Sequence, residues 1–301
     1  MGELCKGRVV IVTGAGRGIG RGHALEFARQ GAAVVVNDLG ASGDGQGASK
    51  DPANEVVEEI RAMGGQAIAN GADVADFEQT AAMVEAAVKE FGRLDVVVNN
   101  AGFLRDRMFA NTSEDEWDAV IRVHLKGHYC VGRHAAGYFR AQSKAGEEVS
   151  GRIINTSSGA GLQGSIGQAT YATAKAGVAA LTLVQAAELR RYGVTANAIA
   201  PAARTRMTEG PFAEMMKKPD SGFDAMDPDN VAPLVVYLGS MSSQHVTGRV
   251  FEISGGEISV ADGWRKGPAI DNGKRWDSND VGGAVDKLIE EAVEPQKVYG
   301  S

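Results

Sequence analysis

Short apolar runs alternate with helix-length amphipathic stretches along most of this sequence. The runs are rich in Val and Ile, and they occupy residues 8–13, 33–37, 66–70, 96–99, 152–156, 195–199 and 250–253. Nearly continuous apolar runs are typical of parallel strands covered on both faces, and parallel strands require long crossover connections, usually helices. The stretches between the runs, for instance 53–63, 78–91 and 174–192, have the periodicity of such helices. The pattern predicts a doubly wound sheet of seven parallel strands flanked by helices.

No Pro- or Ser-rich linker interrupts the alternation, which predicts a single domain over residues 1–262. Beyond that point the alternation stops, and residues 263–301 form a C-terminal extension. Residues 262–281 are expected to form a loop and residues 281–292 a last helix. Within the domain, Ser113 and Glu116 have the spacing of a capping box, which predicts the start of the helix that carries His124. The glycine-rich polar segment 40–51 is expected to be a surface loop.

Charge and composition exclude several classes of function. The chain has 31 Lys and Arg against 38 Asp and Glu, a net charge of −7 without a long basic run, so binding along nucleic acid is not expected. No segment approaches about 18 uninterrupted apolar residues, so no membrane partner is predicted. Cys5 and Cys130 are too few for a disulfide framework or a zinc site, which predicts no metal and a reducing, cytoplasmic compartment.

The first apolar run ends in a glycine-rich turn, Thr13-Gly14-Ala15-Gly16-Arg17-Gly18-Ile19-Gly20, and an amphipathic stretch follows. A strand, a glycine turn and a helix come in the order that a pyrophosphate site needs, since a helix N-terminus offers free N–H groups and a positive dipole. Gly14 is expected to make the tight turn, Gly18 to let the backbone approach the pyrophosphate, and Gly20 to allow close helix packing. This order of elements predicts a Rossmann-type sheet.

The second run supplies an independent signal, which is needed because turns collect glycine for structural reasons alone. It ends at Asp38, 18 residues after Gly20. A carboxylate there accepts hydrogen bonds from both hydroxyls of an adenosine ribose and repels a 2′-phosphate, which favours NAD over NADP. Two observations oppose this. Asp38 alone is compatible with a turn or capping residue, and Arg17 is a cation that is able to meet a 2′-phosphate.

Two further polar segments follow apolar runs. Asp73, after the third run, either caps the next helix or meets the adenine amine, and the two roles are compatible. Asn99-Asn100-Ala101-Gly102 ends the fourth run, at the carboxyl edge where open α/β sheets bind ligands. A plain Asn/Gly turn is the alternative for that segment.

Candidate catalytic groups follow the fifth run. Tyr171 and Lys175 are four residues apart at the start of an Ala-rich stretch, hence on one face of a helix. An ammonium beside a phenol favours the phenolate, so Lys175 is expected to lower the pKa of Tyr171. Such a Tyr exchanges a proton with an alcohol or carbonyl, and Ser158, thirteen residues earlier, is placed to hydrogen-bond the same oxygen. Because Tyr and Lys at this spacing are common on helix surfaces, the pair indicates a catalytic site only in combination with the other motifs.

Taken in order, these five motifs resemble those of the short-chain dehydrogenase/reductase family over residues 6–258. The resemblance implies an enzyme that transfers hydride between an alcohol or ketone and a nicotinamide cofactor. It implies that Tyr171 is the acid and base, that Lys175 is its electrostatic partner and binds the nicotinamide ribose, and that Ser158 orients the substrate oxygen. The cofactor-binding residues that it implies are Gly14, Arg17, Gly18, Ile19, Gly20, Asp38, Asp73, Val74, Asn100, Ala101, Gly102, Tyr171, Lys175 and Pro201.

Two positions depart from the family pattern. His124, within Val123-His124-Leu125-Lys126-Gly127, stands where the family usually has a catalytic Asn. A ring nitrogen of His124 is able to hold the water linked to Lys175, a proton relay of changed pH dependence is equally compatible, and a satisfied core histidine is the third alternative. Pro201-Ala202 stands where the family usually has Pro-Gly, so cofactor contacts there are expected to shift.

The finer resemblance is to the (R)-3-hydroxyacyl-CoA dehydrogenase unit of peroxisomal multifunctional enzymes of lipid metabolism. It rests on residues 34–40 with the following glycine-rich insert, 104–107, 122–127 and 206–208, and it weakens after Gly255. Nothing in the sequence resembles the hydratase unit of those enzymes. The family varies its substrate lid in the segment about 203–228, whose apolar residues suit an acyl chain or a steroid, although ordinary helix packing is equally compatible. Those residues are Met207, Phe212, Met215, Met216, Phe223 and Met226.

The leading hypothesis is an NAD-dependent oxidoreductase of a hydrophobic secondary alcohol, with 3-hydroxyacyl-CoA as the first substrate class and hydroxysteroids as the second. The alternatives are an NADPH-dependent 3-oxoacyl reductase and a non-catalytic nucleotide-binding regulator on the same fold. The intact Ser158, Tyr171 and Lys175 argue against the regulator. The resemblance also implies a homodimer or homotetramer that pairs through the helices around His124 and Tyr171.

Overall fold

Strands and helices alternate along the chain as the apolar runs predict. The computed structural model describes residues 2–41, 47, 49, 51–205, 216–261, 263–273, 275–276, 278 and 281–301. In chain order the elements are β1 (Val9–Thr13), α1 (Gly18–Arg29), β2 (Ala33–Asn37), α2 (Asp51–Ala62), β3 (Gln66–Asn70), α3 (Phe77–Phe91), β4 (Val96–Asn99), α4 (Glu114–Ile121), α5 (Gly127–Lys144), β5 (Gly151–Thr156), α6 (Gly159–Gln163), α7 (Ala169–Leu189), β6 (Val194–Ala202), α8 (Ala232–Gly239), β7 (Val250–Ser254), β8 (Glu257–Ala261) and α9 (Val281–Glu291).

The strands join one sheet in the order β3-β2-β1-β4-β5-β6-β7-β8. Every pair from β3 to β7 is parallel, which confirms the doubly wound, Rossmann-type arrangement. The strand order reverses between β1 and β4, and in such sheets a crevice forms there, outside the carboxyl ends of the strands. The glycine turn follows β1 and residues 100–102 follow β4, so the topology places both at this crevice.

The sheet has one strand more than the seven that the sequence predicts. β8 runs antiparallel to β7, and the two are joined through Gly255, whose φ is +55°. An antiparallel edge strand on an otherwise parallel sheet is common. The residues of β8 are almost all exposed. It therefore lacks the continuous apolar run by which the other strands are recognised.

Helices cover both faces of the sheet, as the apolar strands require. Successive strand residues point to opposite faces, and each set packs with its own layer of helices. The first set includes Val10, Val34 and Val98 and packs with residues of α1, α2 and α8, and the second includes Ile11, Val35 and Val97 and packs with residues of α3 and α5. Close packing on both sides fixes the strand ends to which the site residues are attached.

Three predicted segments are only partly described, and in the first of them, the predicted surface loop 40–51, residues 42–46, 48 and 50 lie outside the described residues. Of the lid predicted over 203–228, residues 206–215 lie outside the described residues, and Met207, Phe212 and Met215 are among them. Met216 is buried and Phe223 is exposed. In the extension, the predicted last helix is present as α9, and Asp262 lies outside the described residues. Within the described ranges, no helix combines the length and the apolarity needed to cross a membrane.

Candidate active site

The glycine turn between β1 and α1 brings the start of the helix directly onto the end of the strand. Gly14 has a φ of +62°, a left-handed conformation that residues with a Cβ rarely adopt, and a Cβ there would lie 2.8 Å from the Cα of Ala101. A Cβ on Gly20 would collide with the carbonyl oxygen of Gly14. These are the tight turn and the close helix packing that the sequence predicts at the two positions. α1 begins at Gly18, within the glycine turn. The first N–H groups of the helix, which have no partner inside the helix, are therefore N–H groups of the turn.

Thr13 is absent from the predicted site residues, yet it ties the glycine turn to the segment after β4. Its Oγ1 accepts hydrogen bonds from the N–H groups of Asn100 at 2.9 Å and Ala101 at 3.2 Å. The Asn100 side-chain Nδ2 donates to the carbonyl oxygens of Thr13 and Gly14 at 3.0 and 3.2 Å. Asn100 therefore holds the two strand ends together. The signal in the sequence was a hydroxyl on the last residue of a buried strand.

The Asp38 carboxylate connects the glycine turn to the loop after β2. It accepts hydrogen bonds from the N–H groups of Gly16 at 2.8 Å and Gly40 at 2.7 Å. The side chain is half-buried and lines a cavity at the crevice. Asp38 thus stabilises the turn, as the alternative interpretation had it, and it also remains accessible to a ligand.

The prediction that Asp73 caps the next helix is wrong. The N-cap of α3 is Asp76, whose carboxylate accepts hydrogen bonds from the N–H groups of the second and third helical residues. Asp76 directly precedes the helix, whereas Asp73 lies a turn earlier in the chain. Asp73 accepts the N–H of Ala75 at 2.9 Å and forms an ion pair with Arg122 at 2.6 Å. The contact of Asp73 with an adenine amine stays a prediction.

The cavity at the crevice has a volume of about 470 Å³. Among its lining residues are eleven of the predicted cofactor-binding residues: Gly14, Arg17, Gly18, Ile19, Gly20, Asp38, Asp73, Val74, Asn100, Ala101 and Gly102. The three others, Tyr171, Lys175 and Pro201, lie outside this lining, and Pro201 borders a separate cavity of about 300 Å³ near the end of β6. Free helix N–H groups beside glycine backbone suit a pyrophosphate, and the Asp38 carboxylate suits ribose hydroxyls. The residues present therefore fit a dinucleotide.

Three of the four predicted catalytic groups, Ser158, Tyr171 and Lys175, meet at the carboxyl end of β5. Ser158 caps α6, its Oγ accepts the N–H of Ala160 at 3.2 Å, and the side chain is close enough to the Tyr171 hydroxyl to act on its pKa. Tyr171 and Lys175 lie near the start of α7. The Lys175 Nζ donates to the carbonyl oxygen of Thr156 at 2.6 Å and lies 5.7 Å from the centroid of the Tyr171 ring. α7 thus brings both side chains to the strand end that carries Ser158.

Burial dominates the protonation of these groups. It raises the pKa of Tyr171, the hydrogen bond with Ser158 opposes this rise, and the charge of Asp106 adds to it. Burial also lowers the pKa of Lys175 to about 7. The sequence predicts a pKa of Tyr171 lowered by Lys175, whereas burial leaves this pKa raised overall, and the Lys175 amine donates to a backbone carbonyl and is itself desolvated. Tyr171 is therefore a phenol at neutral pH, the form that donates a proton.

His124 lies beside Tyr171, in a π-helical turn, Arg122–Lys126, between α4 and α5. The ring is fully buried and meets the Tyr171 ring edge-on, with 5.2 Å between the centroids. Its Nε2 lies 2.7 Å from the carbonyl oxygen of Phe103, and its Nδ1 has no hydrogen-bond partner within the described part of the chain. A Cβ on Gly102 would collide with the imidazole. His124 therefore lies between the crevice and the Tyr171 ring, and π-helical turns often mark functional sites.

Burial lowers the pKa of His124 to about 3, and the charge of Lys175 acts in the same direction. The imidazole is therefore neutral at physiological pH. Nε2 meets both backbone groups of Phe103, the N–H at 3.1 Å as a donor and the carbonyl oxygen at 2.7 Å as an acceptor, so this contact is compatible with either neutral tautomer, and Nδ1 is a buried nitrogen without a partner in the described part of the chain. A proton relay requires an imidazole that titrates near neutral pH, so the relay is the least favoured of the three alternatives for His124.

Comparison with known proteins identifies the family to which the chain belongs. The model of the short chain dehydrogenase family matches residues 8–215. This chain belongs to the short-chain dehydrogenase family. A crystal structure of a short chain dehydrogenase from Mycobacterium avium is 59% identical, with a TM-score of 0.89, and the match covers 99% of this chain and 100% of that one. The protein is therefore an oxidoreductase that acts on CH–OH groups, in a family that uses nicotinamide cofactors.

Two relatives of this short-chain dehydrogenase carry more specific names. The hydroxyacyl-CoA dehydrogenase ChsB1 of Mycobacterium tuberculosis is 47% identical over 259 residues, which cover 84% of this chain and 79% of that protein. The peroxisomal hydratase-dehydrogenase-epimerase of Neurospora crassa is 45% identical over 253 residues, 84% of this chain. The match spans 27% of that longer enzyme. The resemblance to the dehydrogenase units of multifunctional enzymes is thereby confirmed.

Proposed function

We propose that this short-chain dehydrogenase oxidises a hydrophobic secondary alcohol with NAD, and that 3-hydroxyacyl-CoA thioesters are preferred to hydroxysteroids. The observation that carries the proposal is the meeting of Ser158, Tyr171 and Lys175 next to a crevice that fits a dinucleotide. The catalytic groups and the crevice are connected through His124. On one side His124 contacts Gly102, which lines the crevice, and on the other side it contacts the Tyr171 ring. The name of ChsB1 supports the acyl-CoA class.

The proton moves between the substrate oxygen and Tyr171. In ketone reduction the phenol donates its proton to the carbonyl oxygen, while the Ser158 hydroxyl donates a hydrogen bond to the same oxygen. In alcohol oxidation the deprotonated form of Tyr171, the tyrosinate, accepts the hydroxyl proton and becomes the phenol, as the carbinol carbon gives up a hydride. A bound nicotinamide ring supplies the acceptor of that hydride, or its donor in the reverse direction. The positive form of Lys175 stabilises the tyrosinate that reduction leaves behind.

Asp38 supports NAD as the cofactor. Its carboxylate lines the crevice while it holds the backbone of the glycine turn at Gly16, so a 2′-phosphate on the ribose would face a fixed negative charge. Arg17 lines the same cavity, is exposed, and supports the second candidate, an NADPH-dependent 3-oxoacyl reductase. We favour NAD because the charge of Asp38 is fixed by two backbone hydrogen bonds.

The test of the function is the initial rate of NADH formation with 3-hydroxyacyl-CoA thioesters of several chain lengths, hydroxysteroids and simple secondary alcohols, with NADP in parallel. We expect turnover with NAD and the acyl-CoA thioesters. The matched control is the variant Tyr171→Phe on the same substrates, because it separates turnover at this site from a contaminating activity.

Each other outcome changes the proposal in a defined way. Turnover of steroids alone would make the protein a hydroxysteroid dehydrogenase. A preference for NADP would show that Arg17 outweighs Asp38 and would favour the reductase. Binding of NAD without turnover of any alcohol in the panel would contradict the proposed substrate classes and favour the nucleotide-binding regulator.

The variant His124→Asn tests the role of the neutral imidazole. We expect it to keep kcat within about tenfold of the parent, because the amide retains one donor and one acceptor close to the places of the two ring nitrogens, and to leave the pH profile of kcat/KM unchanged between about pH 5 and 9. The reason for the second expectation is that a pKa of about 3 keeps His124 neutral throughout that range. His124→Leu, which has no acceptor, is expected to lose more activity. If an ionisation near neutral pH is present in the parent and absent in His124→Asn, then His124 titrates in that range, and the interpretation of His124 as a proton relay would be supported.

We also propose a homodimer or homotetramer that pairs through the helices around His124 and Tyr171. Large apolar side chains on α4, α5 and α7 are exposed on the single chain: Trp117, Tyr129, Leu183 and Val184. Exposed apolar groups clustered on adjoining helices are typical of interfaces between protein chains.

A further inference from the structure

The C-terminal extension returns to the loop that joins the two catalytic residues Ser158 and Tyr171. The N–H of Tyr299 donates to the carbonyl oxygen of Gly164 at 3.2 Å, and the N–H of Ile166 donates to the carbonyl oxygen of Tyr299 at 2.9 Å. These two bonds form a short parallel β-bridge between the extension and the loop. The two paired segments lie far apart in the sequence, and their contact connects the extension to the active site of its own chain.

The Tyr299 side chain adds a second contact, with Gly159. A Cβ on Gly159 would lie 2.8 Å from the Tyr299 hydroxyl oxygen and 3.1 Å from a ring carbon, so the ring leaves room there only for a hydrogen. Gly159 is the first residue of α6, and Ser158 is its N-cap. The aromatic ring therefore lies on the backbone that sets the direction of the Ser158 side chain.

The loop before Tyr171 is costly to order, so contacts with the extension stabilise its conformation. Gly164 has a φ of +84° and Gly167 has a φ of +79°, and glycine loses more conformational freedom on ordering than any other residue. None of the residues of α9, all of which are described, is buried. The attachment of the extension near the catalytic loop thus comes from the segment 298–301 and not from its helix.

We propose that Tyr299 is a positioning residue of the active site. Its backbone pairs with the loop between Ser158 and Tyr171, its ring covers Gly159, and together the two contacts fix the Ser158 hydroxyl relative to the Tyr171 hydroxyl. The inference rests on the proposed catalytic roles of Ser158 and Tyr171. Tyr299 is not among the residues that line the cofactor crevice, and it borders the smaller cavity at the end of β6 together with Gly159 and Pro201.

The first test measures the loop without any substrate. In a chain that ends at Gln296, we expect faster hydrogen exchange of backbone amides in residues 159–168, with Ile166 the most affected, because its N–H loses the Tyr299 carbonyl. The glycine turn, residues 13–20, is the internal control and should exchange at an unchanged rate. Equal exchange of residues 159–168 in the two chains would overturn the proposal.

The second test uses turnover with the substrate identified for the parent enzyme. We expect Tyr299→Ala to lower kcat on the order of tenfold, since small misplacements of catalytic groups are costly, and to leave the KM for NAD unchanged. Tyr299→Phe retains the ring and should retain kcat. Because about half of the Tyr299 surface is exposed, neither change is expected to unfold the protein.

A double variant tests the contact itself. Gly159→Ala is expected to lower kcat because its new methyl group collides with the Tyr299 ring. In Gly159→Ala/Tyr299→Ala the collision is absent, so the double variant should have a higher kcat than the product of the two single effects predicts. Multiplicative effects, or a wild-type kcat in Tyr299→Ala, would overturn the proposal. A parent enzyme that oxidises no alcohol would contradict the proposed function alone, because the exchange measurement still decides the role of the segment.

Discussion

Replacing Tyr171 by Phe should lower kcat/KM for the preferred alcohol by about a thousandfold, which is within the usual contribution of general acid–base catalysis. The change removes one oxygen atom and keeps the ring, so the edge-on contact with His124 and the start of α7 are retained. Without the Tyr171 oxygen, whose deprotonated form takes up the proton of the alcohol, that proton loses its acceptor beside Ser158. The loss should therefore appear in the chemical step, while the binding of NADH, measured by its fluorescence, stays close to that of the parent.

Tyr192→Phe is the matched control, because Tyr192 lies in the turn after α7 and its ring stacks with Arg191, far along the helix from Ser158. It should have wild-type kinetics. If Tyr171→Phe retains more than about a tenth of the parent kcat/KM, the assignment of Tyr171 as acid and base is wrong. If Tyr171→Phe loses NADH binding as well, its role is in cofactor binding and not in proton transfer.

The fold could be predicted because its signal is local. Each central strand is buried on both faces and so has to be apolar throughout, as in Val34-Val35-Val36, and this is visible in any short stretch of sequence. β8 could not be predicted in this way. It pairs with β7 on one edge only and is mostly exposed, so nothing requires its residues to be continuously apolar.

The site could be predicted as a set of residues but not as a set of contacts. The positions of Asp38, Ser158 and Tyr171 follow from motif spacing, whereas the protonation of Tyr171 depends on burial and on what the Lys175 amine contacts in three dimensions. Asp73 and Asp76 are both acidic residues shortly before α3. Which of them caps the helix depends on the residue at which the helix begins, and sequence patterns place helix ends with least precision.

The contact of Tyr299 with the catalytic loop has no sequence signal. The bond between its carbonyl and the N–H of Ile166 joins backbone groups more than a hundred residues apart, and backbone pairing is independent of side-chain identity. The ring contact depends on Gly159, and a glycine after Ser158 is equally compatible with an ordinary turn. Such a contact is found only when both segments are placed in space.

Removing the charge of Asp38 should reverse part of the preference for NAD. In Asp38→Asn the ratio of kcat/KM with NAD to that with NADP is expected to fall by roughly a hundredfold, since bringing like charges together costs several kcal/mol and that cost is removed. The ratio is the quantity to measure, because both cofactors use the same glycine turn. The amide also retains an oxygen that accepts the N–H of Gly16 or of Gly40, so the turn keeps part of its support.

Asp38→Ala separates the two roles of the carboxylate. It removes the charge and both backbone hydrogen bonds, so we expect a similar change in the ratio together with weaker binding of both cofactors. In the double variant Asp38→Asn/Arg17→Ala, we expect the gain in kcat/KM with NADP to disappear, because the Arg17 cation is then no longer there to meet the 2′-phosphate. An unchanged ratio in both single variants would show that Asp38 serves only to fix the backbone at Gly16, and the argument for NAD from this residue would fail.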